Sequence, residues 1–200
     1  MASKSHFQHI PNLLSISRLV MIFFIVGCLF DQTPNGAGIA LVFYLVAVFT
    51  DFLDGFIARR YNCVSGFGKI LDATVDKLFF FSILISLILL EVFSFKLLAV
   101  FIGIHIIRDV WVTLLRGALT KNDYYLGAST LGKIKTVLQF CFLFLGLSII
   151  ILNHVVHVNY PTTFLLWLAY LVYIVSVALS IPSAYNYFII YKENKHASKS

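Results

Sequence analysis

The sequence predicts an all-α integral membrane protein with six transmembrane helices in one membrane domain, residues 1–200. Of its 200 residues, 60% are hydrophobic and only 12% are charged, and the mean hydropathy is +0.92. A soluble domain of this length carries about twice that share of charged residues. The solvent around most of the chain is therefore a lipid bilayer.

Six apolar runs, one for each helix, are long enough to cross about 30 Å of hydrocarbon. They are residues 13–30, 36–57, 70–90, 97–119, 134–152 and 164–191. The first run is not a cleavable signal peptide, because Arg18 interrupts it and no small-residue cleavage site precedes Asp31. Before it, residues 5–14 have apolar side chains at helical spacing, which predicts a short interfacial helix despite Pro11.

Basic residues predict the orientation of these helices. If the helices alternate in direction, both termini and the second and fourth links lie on one side of the membrane. That side receives Lys4, Arg18, Arg59, Arg60, Lys69, Arg116, Lys121, Lys133, Lys135, Lys192, Lys195 and Lys199. Only Lys96 lies near a helix end on the other side. The positive-inside rule therefore puts the N-terminus (1–12) and the basic tail (192–200) in the cytosol, in a multi-pass protein of the cell (inner) membrane.

The net charge and the cysteines exclude several classes of function. The formal charge of +6 is concentrated at membrane ends, which favours contact with membrane lipid and anionic substrates over nucleic acid. Cys28, Cys63 and Cys141 are widely spaced, and two of them fall inside apolar runs. They support neither a disulfide framework nor a zinc site.

Four aspartates fall within the second and third helices, where each ionised side chain costs about 2.5–3.5 kcal/mol. Asp51 and Asp54 lie on one face near the end of the second helix, and Asp72 and Asp76 on one face in the first turns of the third. Because these helices run in opposite directions, we expect the carboxylates to meet at the cytosolic end. An all-oxygen ligand set favours hard cations, and we infer a site for two divalent ions, Mg²⁺ or Mn²⁺.

Two other interpretations of the acids are helix-terminal residues that serve solubility, and the ion path of a cation transporter. The first does not explain the shared faces. The second needs polar residues through the full membrane depth, whereas residues 39–48 and 79–90 are almost wholly apolar. The charges instead predict a pocket that opens on one side.

The acids belong to a longer pattern, D-x2-D-G-x2-A-R-x8-G-x3-D-x3-D. It is formed by Asp51, Asp54, Gly55, Ala58, Arg59, Gly68, Asp72 and Asp76. In this pattern the chain resembles the CDP-alcohol phosphotransferase family, which implies six membrane helices and a cytosolic active site. Residues 71–77 depart from the usual L-D-P-x-A-D-K but keep both acids. A small structural membrane subunit would leave the pattern unexplained.

The resemblance implies a role for each acid. Asp51 and Asp72 would bridge the two metals, and Asp54 would complete the first. Asp76 would touch the second metal and act as the general base. The implied contacts with CDP-diacylglycerol are Asn12, Gly55, Arg59 and Ser65. The resemblance further implies a homodimer.

A second cluster of charges predicts which alcohol accepts the group. Its basic members are Arg108, Arg116, Lys133 and Lys135, and they imply an anionic acceptor. All but Arg108 also fit ordinary positive-inside anchors. Residues 107–109 and 132–139 resemble the phosphatidylglycerophosphate synthases of the same family, whose acceptor is sn-glycerol 3-phosphate.

The resemblance therefore implies a phospholipid-synthesising enzyme. It would transfer a phosphatidyl group from CDP-diacylglycerol to glycerol 3-phosphate, giving phosphatidylglycerophosphate and CMP. The opening segment, residues 11–18, fits cardiolipin synthases of this family equally well. A cardiolipin synthase that uses phosphatidylglycerol as acceptor is the alternative, and a cation transporter is the alternative from another class.

Overall fold

The structure, a computed structural model, describes residues 10–61, 66–120, 130–155 and 159–197. These ranges form six helices and contain no strand, which confirms the all-α prediction. The helices are α1 (Ile10–Phe30), α2 (Pro34–Tyr61), α3 (Gly66–Leu89), α4 (Phe95–Thr120), α5 (Thr130–Val155) and α6 (Asn159–Ala197).

Five of these helices, all but α3, are long and apolar enough to cross a membrane. The first half of α3 carries Lys69, Asp72, Asp76 and Lys77. The apolar part that follows is shorter than the roughly 20 residues that a span needs. The structure thus confirms a helical membrane protein, and the sixth crossing stays a prediction.

Two helix ends differ from the apolar runs. Helix α1 already begins at Ile10, and Pro11 lies in its first turn, where the missing N–H removes no helical hydrogen bond. Residues 10–14 thus belong to α1, and the rest of the interfacial segment lies outside the described residues. Helix α6 continues to Ala197 and so includes much of the predicted tail.

The chain divides into two compact units. Unit 1 comprises Met1–Phe93 and Leu143–Leu166, and unit 2 comprises Ser94–Phe142 and Trp167–Ser200. The division falls within α5 and α6, so each of these helices contributes to both units. The single membrane domain inferred from the sequence stays a prediction.

In unit 1, α1 packs against both α2 and α3. The buried face of α1 repeats every three or four residues, as helical geometry requires: Ser15, Arg18, Ile22, Ile25 and Leu29. The buried side of α2 is mostly small: Ala37, Ala40, Tyr44 and Ala47. Small side chains let membrane helices approach closely. This packing brings the polar start of the α1 face to the end of α2 and the beginning of α3.

A tight contact fixes α5 within the same unit. A Cβ atom on Gly146 would lie 2.7 Å from Cδ1 of Leu87 and 2.8 Å from Cε2 of Phe93. Both neighbours are fully or almost fully buried and have little room to move. Only glycine fits at this position without a shift of the surrounding core.

The buried faces of unit 2 carry an unusual number of polar side chains. They are His105 on α4, Lys135 and Gln139 on α5, and Ser176, Ser180 and Ser183 on α6. Aromatic rings lie beside them: Tyr173 stacks on Phe142 with ring centroids 4.6 Å apart. Inside a membrane protein such groups need internal partners, since lipid offers none.

Candidate active site

Three aspartates converge in unit 1. Asp51 lies near the end of α2, and Asp72 and Asp76 lie one turn apart near the start of α3. One carboxylate oxygen from each lies within 4.8 Å of the others. The structure thus brings together three of the four acids that the sequence marks as metal ligands.

A buried arginine of α1 joins the three acids. Nη1 of Arg18 donates to Oδ1 of Asp51 and, at 2.5 Å, to Oδ1 of Asp76. Nη2 donates to Oδ1 of Asp72 at 2.5 Å. One turn earlier, the hydroxyl of Ser15 lies 3.4 Å from the same oxygen of Asp72. One guanidinium thereby connects α1, α2 and α3.

Among the side chains that the structure describes, three carboxylates share one guanidinium. With all three acids ionised, this group has a formal charge of −2 (−3 + 1). The donors are carboxylate oxygens from two helices, the ligand type that Mg²⁺ and Mn²⁺ prefer. Both the donor set and the excess negative charge fit a hard divalent cation.

The other residues predicted to line this site are Asn12, Asp54, Gly55, Arg59 and Ser65. Asp54, Gly55 and Arg59 lie in the last turns of α2, and Asn12 lies in the first turn of α1. Their side chains fall outside the described part of the structure. Ser65 lies outside the described residues altogether.

Unit 2 contains a second cluster, centred on Asp109 of α4. Oδ1 of Asp109 accepts from Nη1 of Arg108 at 2.9 Å and from Nζ of Lys135 at 2.7 Å. Its Oδ2 lies 3.2 Å from Nε2 of His105, one turn earlier on α4. The side chains of Lys135 and His105 are almost fully buried. A single carboxylate therefore serves three nitrogen-bearing side chains.

Arg108 makes further contacts within unit 2. Its Nε donates to the carbonyl of Ser180 at 3.1 Å, and its Nη2 donates to Oγ of Ser183 at 2.9 Å. An unpaired guanidinium within an apolar helix is costly. Arg108 is paired with one carboxylate and two oxygens of α6. Arg108 thus joins α4 to α6 as well as contributing positive charge.

The remaining predicted acceptor residues lie at the helix ends of the same unit. Lys133 is exposed in the first turn of α5. Arg116 lies in the last turns of α4, and its side chain falls outside the described part. Of the four basic residues, the structure brings together Arg108 and Lys135, through Asp109.

Sequence reasoning gave no site role to four residues of the two clusters: Arg18, His105, Asp109 and Gln139. The amide of Gln139 lies 2.8 Å from Nε2 of His105. Their spacing in the sequence could have indicated a shared site, because residues 105 and 109 on α4 are one helical turn apart, as are residues 135 and 139 on α5. Arg18 interrupts an apolar run, which also marks it for a compensating partner.

The described part of α1, α2 and α3 offers no polar path beyond the acids. Among the described residues that follow, the buried side chains are apolar except for the hydroxyls of Tyr44 and Ser86, and that of Ser86 donates to the carbonyl of Ser82. An ion path needs polar groups along its length. The geometry of unit 1 thus favours a pocket over a cation-transport path.

Comparisons with known proteins agree with this geometry. The sequence pattern of the CDP-alcohol phosphatidyltransferase family matches residues 8–182. A Rickettsia bellii (strain RML369-C) protein named "CDP-diacylglycerol--glycerol-3-phosphate 3-phosphatidyltransferase" is 31% identical over 189 residues, 90% of this chain and 94% of that protein. A Bacillus subtilis (strain 168) protein of the same name is 32% identical over 196 residues, 90% and 93% of the two chains. This chain therefore belongs to the CDP-alcohol phosphatidyltransferase family.

Proposed function

We propose that this chain transfers a phosphatidyl group from CDP-diacylglycerol to sn-glycerol 3-phosphate and releases CMP. The observation that carries the proposal is the convergence of Asp51, Asp72 and Asp76 within 4.8 Å. Relatives that align along nearly their whole length bear the name of this reaction. The acceptor is thus the one that those names state.

The four aspartates of the family pattern would hold two divalent cations, Mg²⁺ or Mn²⁺. Asp51 and Asp72 would be ligands of both ions. Asp54 would be a ligand of the first ion, and Asp76 would be a ligand of the second. Bound cations would offset negative charge on the transferring and leaving phosphate oxygens. The donor chemistry and the excess negative charge beside Arg18 support this role.

Asp76 is the proposed general base. A hydroxyl oxygen of glycerol 3-phosphate attacks the lipid-side phosphorus of CDP-diacylglycerol, and its proton passes to the Asp76 carboxylate. The new bond joins that oxygen to phosphorus, and the bond from phosphorus to the bridging oxygen breaks. CMP leaves with the electron pair, so no covalent enzyme intermediate is needed.

The nucleotide-lipid substrate would contact the ends of α1 and α2. Gly55 has no side chain, so a nucleotide can approach the helix backbone there. Arg59 carries a planar fork that suits phosphate oxygens. Asn12 and Ser65 complete the proposed contacts.

The acceptor's phosphate would be bound by the basic residues of unit 2. Lys133 is exposed at the start of α5 and is available to an anion. Lys135 and Arg108 are paired with Asp109, which holds them in place. Their proposed contribution to phosphate binding is a positive charge at a fixed position. Arg116 is the fourth proposed ligand.

Location and assembly belong to the same proposal. We place the protein in the cell (inner) membrane with both termini in the cytosol, because the basic residues gather at one set of helix ends. We propose a homodimer on the family resemblance. The orientation is tested with Ala2→Cys and Ser200→Cys, each in a chain whose native cysteines are replaced by alanine, by labelling from each side of intact vesicles.

The decisive experiment measures CMP release by the purified, detergent-solubilised chain with CDP-diacylglycerol and Mg²⁺ or Mn²⁺. Glycerol 3-phosphate, phosphatidylglycerol and inositol phosphate are offered separately, with a metal-chelated sample as control. Turnover with glycerol 3-phosphate alone supports the proposal. Turnover with phosphatidylglycerol would identify the chain as a cardiolipin synthase. If folded protein released no CMP with any acceptor, the cation-transporter alternative would be favoured.

A further inference from the structure

Arg18 lies on the protein side of the three acids. Its side chain is 2% exposed, whereas those of Asp51, Asp72 and Asp76 are 26%, 44% and 36% exposed. The guanidinium therefore contacts the three carboxylates from their buried side, and part of each aspartate side chain remains exposed.

We propose that Arg18 is a positioning residue that orients these three carboxylates for divalent cations on their exposed side. The inference rests on the metal-dependent function proposed above and deepens it. Arg18 would stay in place when cations bind, as a permanent partner of their ligands. Groups that hydrogen-bond to metal ligands in this way fix ligand orientation and strengthen metal binding.

The shape of the side chain supports this role. Nη1 is shared between Asp51 on α2 and Asp76 on α3, while Nη2 reaches Asp72. A planar guanidinium holds several oxygens in fixed directions, which the compact ammonium of lysine cannot do. Ser15 adds a weak contact, with its Oγ 3.5 Å from Nη2 of Arg18.

The charge of the cluster also supports a positioning role for Arg18. Arg18 offsets one of three carboxylate charges from the buried side, and the formal excess of −2 (−3 + 1) is left to the exposed side. If Arg18 instead competed with cations for the same position, its loss would tighten metal binding. Positioning and competition therefore predict effects of opposite sign.

The test is equilibrium binding of Mn²⁺ to the purified full chain, without substrates, from the electron paramagnetic resonance signal of free Mn²⁺. Arg18→Lys keeps the positive charge and loses the fork. We expect its Mn²⁺ affinity to fall about 10- to 100-fold. Lys96→Gln changes an exposed basic residue outside both clusters and is the control, and its Mn²⁺ affinity should equal that of the unmodified chain.

An Arg18→Lys affinity that is unchanged or tighter overturns the inference. If that variant does not fold, an experimental structure of the unmodified chain with Mn²⁺ decides the point. Arg18 within hydrogen-bonding distance of the acids beside the bound ion supports positioning, and its withdrawal overturns it. Absence of Mn²⁺ binding by the unmodified chain would overturn the metal role of the acids as well. Since no substrate is present, none of these results depends on the choice of acceptor.

Discussion

Lys135 of α5 donates a 2.7 Å hydrogen bond from Nζ to Oδ1 of Asp109 on α4. Both side chains are largely buried, at 6% and 14% exposure, and the same Oδ1 also accepts from Arg108. Two residues that the sequence marks for an anionic acceptor are therefore held by one internal carboxylate. Asp109 fixes where their charge lies and offsets part of it.

Loss of Asp109 should destabilise the protein strongly. Asp109→Ala leaves the buried charges of Lys135 and Arg108 without their common carboxylate, so we expect the free energy of unfolding to fall by about 3–5 kcal/mol. Thermal unfolding in detergent measures the change. Asp31→Ala removes an exposed acid and should cost only about 0.5 kcal/mol. Equal losses in the two variants would contradict a special role for Asp109.

A double variant measures the coupling energy between Asp109 and Lys135 separately from their contacts with other residues. Lys135→Met replaces the buried ammonium by an apolar group of similar length, so Asp109→Ala combined with Lys135→Met should recover about 1–3 kcal/mol of the expected loss. The four proteins of this cycle are compared by unfolding in detergent. Strict additivity of the two single effects would show that the hydrogen bond contributes no coupling energy.

Replacing Lys133 should change KM for the acceptor and leave KM for the lipid substrate unchanged. An exposed charge pair contributes about 1 kcal/mol, so Lys133→Gln should raise KM for glycerol 3-phosphate about fivefold. KM for CDP-diacylglycerol and kcat should stay unchanged in steady-state assays of CMP release. Lys96 is also exposed and lies in the first turn of α4, so Lys96→Gln is the matched control. The same rise in both variants would argue against a phosphate contact at Lys133.

Asp76 should be required for turnover and not for folding. Asp76→Asn keeps the shape of the side chain and an oxygen that can accept from Arg18, but it cannot take up a proton. We expect CMP release to fall by about 10²–10⁴-fold, with an unfolding transition close to that of the unmodified chain. Substantial remaining activity would remove Asp76 from the role of base.

Gly146 should be intolerant of any side chain. Gly146→Ala puts a methyl group within 3 Å of buried Leu87 and Phe93, and we expect a loss of about 1–3 kcal/mol of unfolding free energy. Gly103→Ala on α4 meets no atom within 4 Å and should be neutral or stabilising by up to about 1 kcal/mol. Thermal unfolding of both variants tests the contact, and equal transition temperatures would count against it.

Local spacing explains why the acid site was largely predictable. Asp72 and Asp76 are one turn apart, and Asp51 lies near the end of the preceding helix, so antiparallel packing alone brings them together. The position of Arg18 was less accessible. An arginine in an apolar run calls for a partner, but its contact with three acids depends on α1 packing against both α2 and α3.

The apolar runs determined, without a structure, that this is a helical membrane protein, and the eight-residue motif identified its family by resemblance. These features are local or periodic, and burial in lipid leaves the backbone few alternatives to helix. The tertiary structure alone decided which buried charges share a partner: Arg18 with the three acids, and Asp109 with Arg108 and Lys135. Most of these pairings join residues on different helices, and a linear sequence gives neither the rotation of one helix against another nor the distances between side chains.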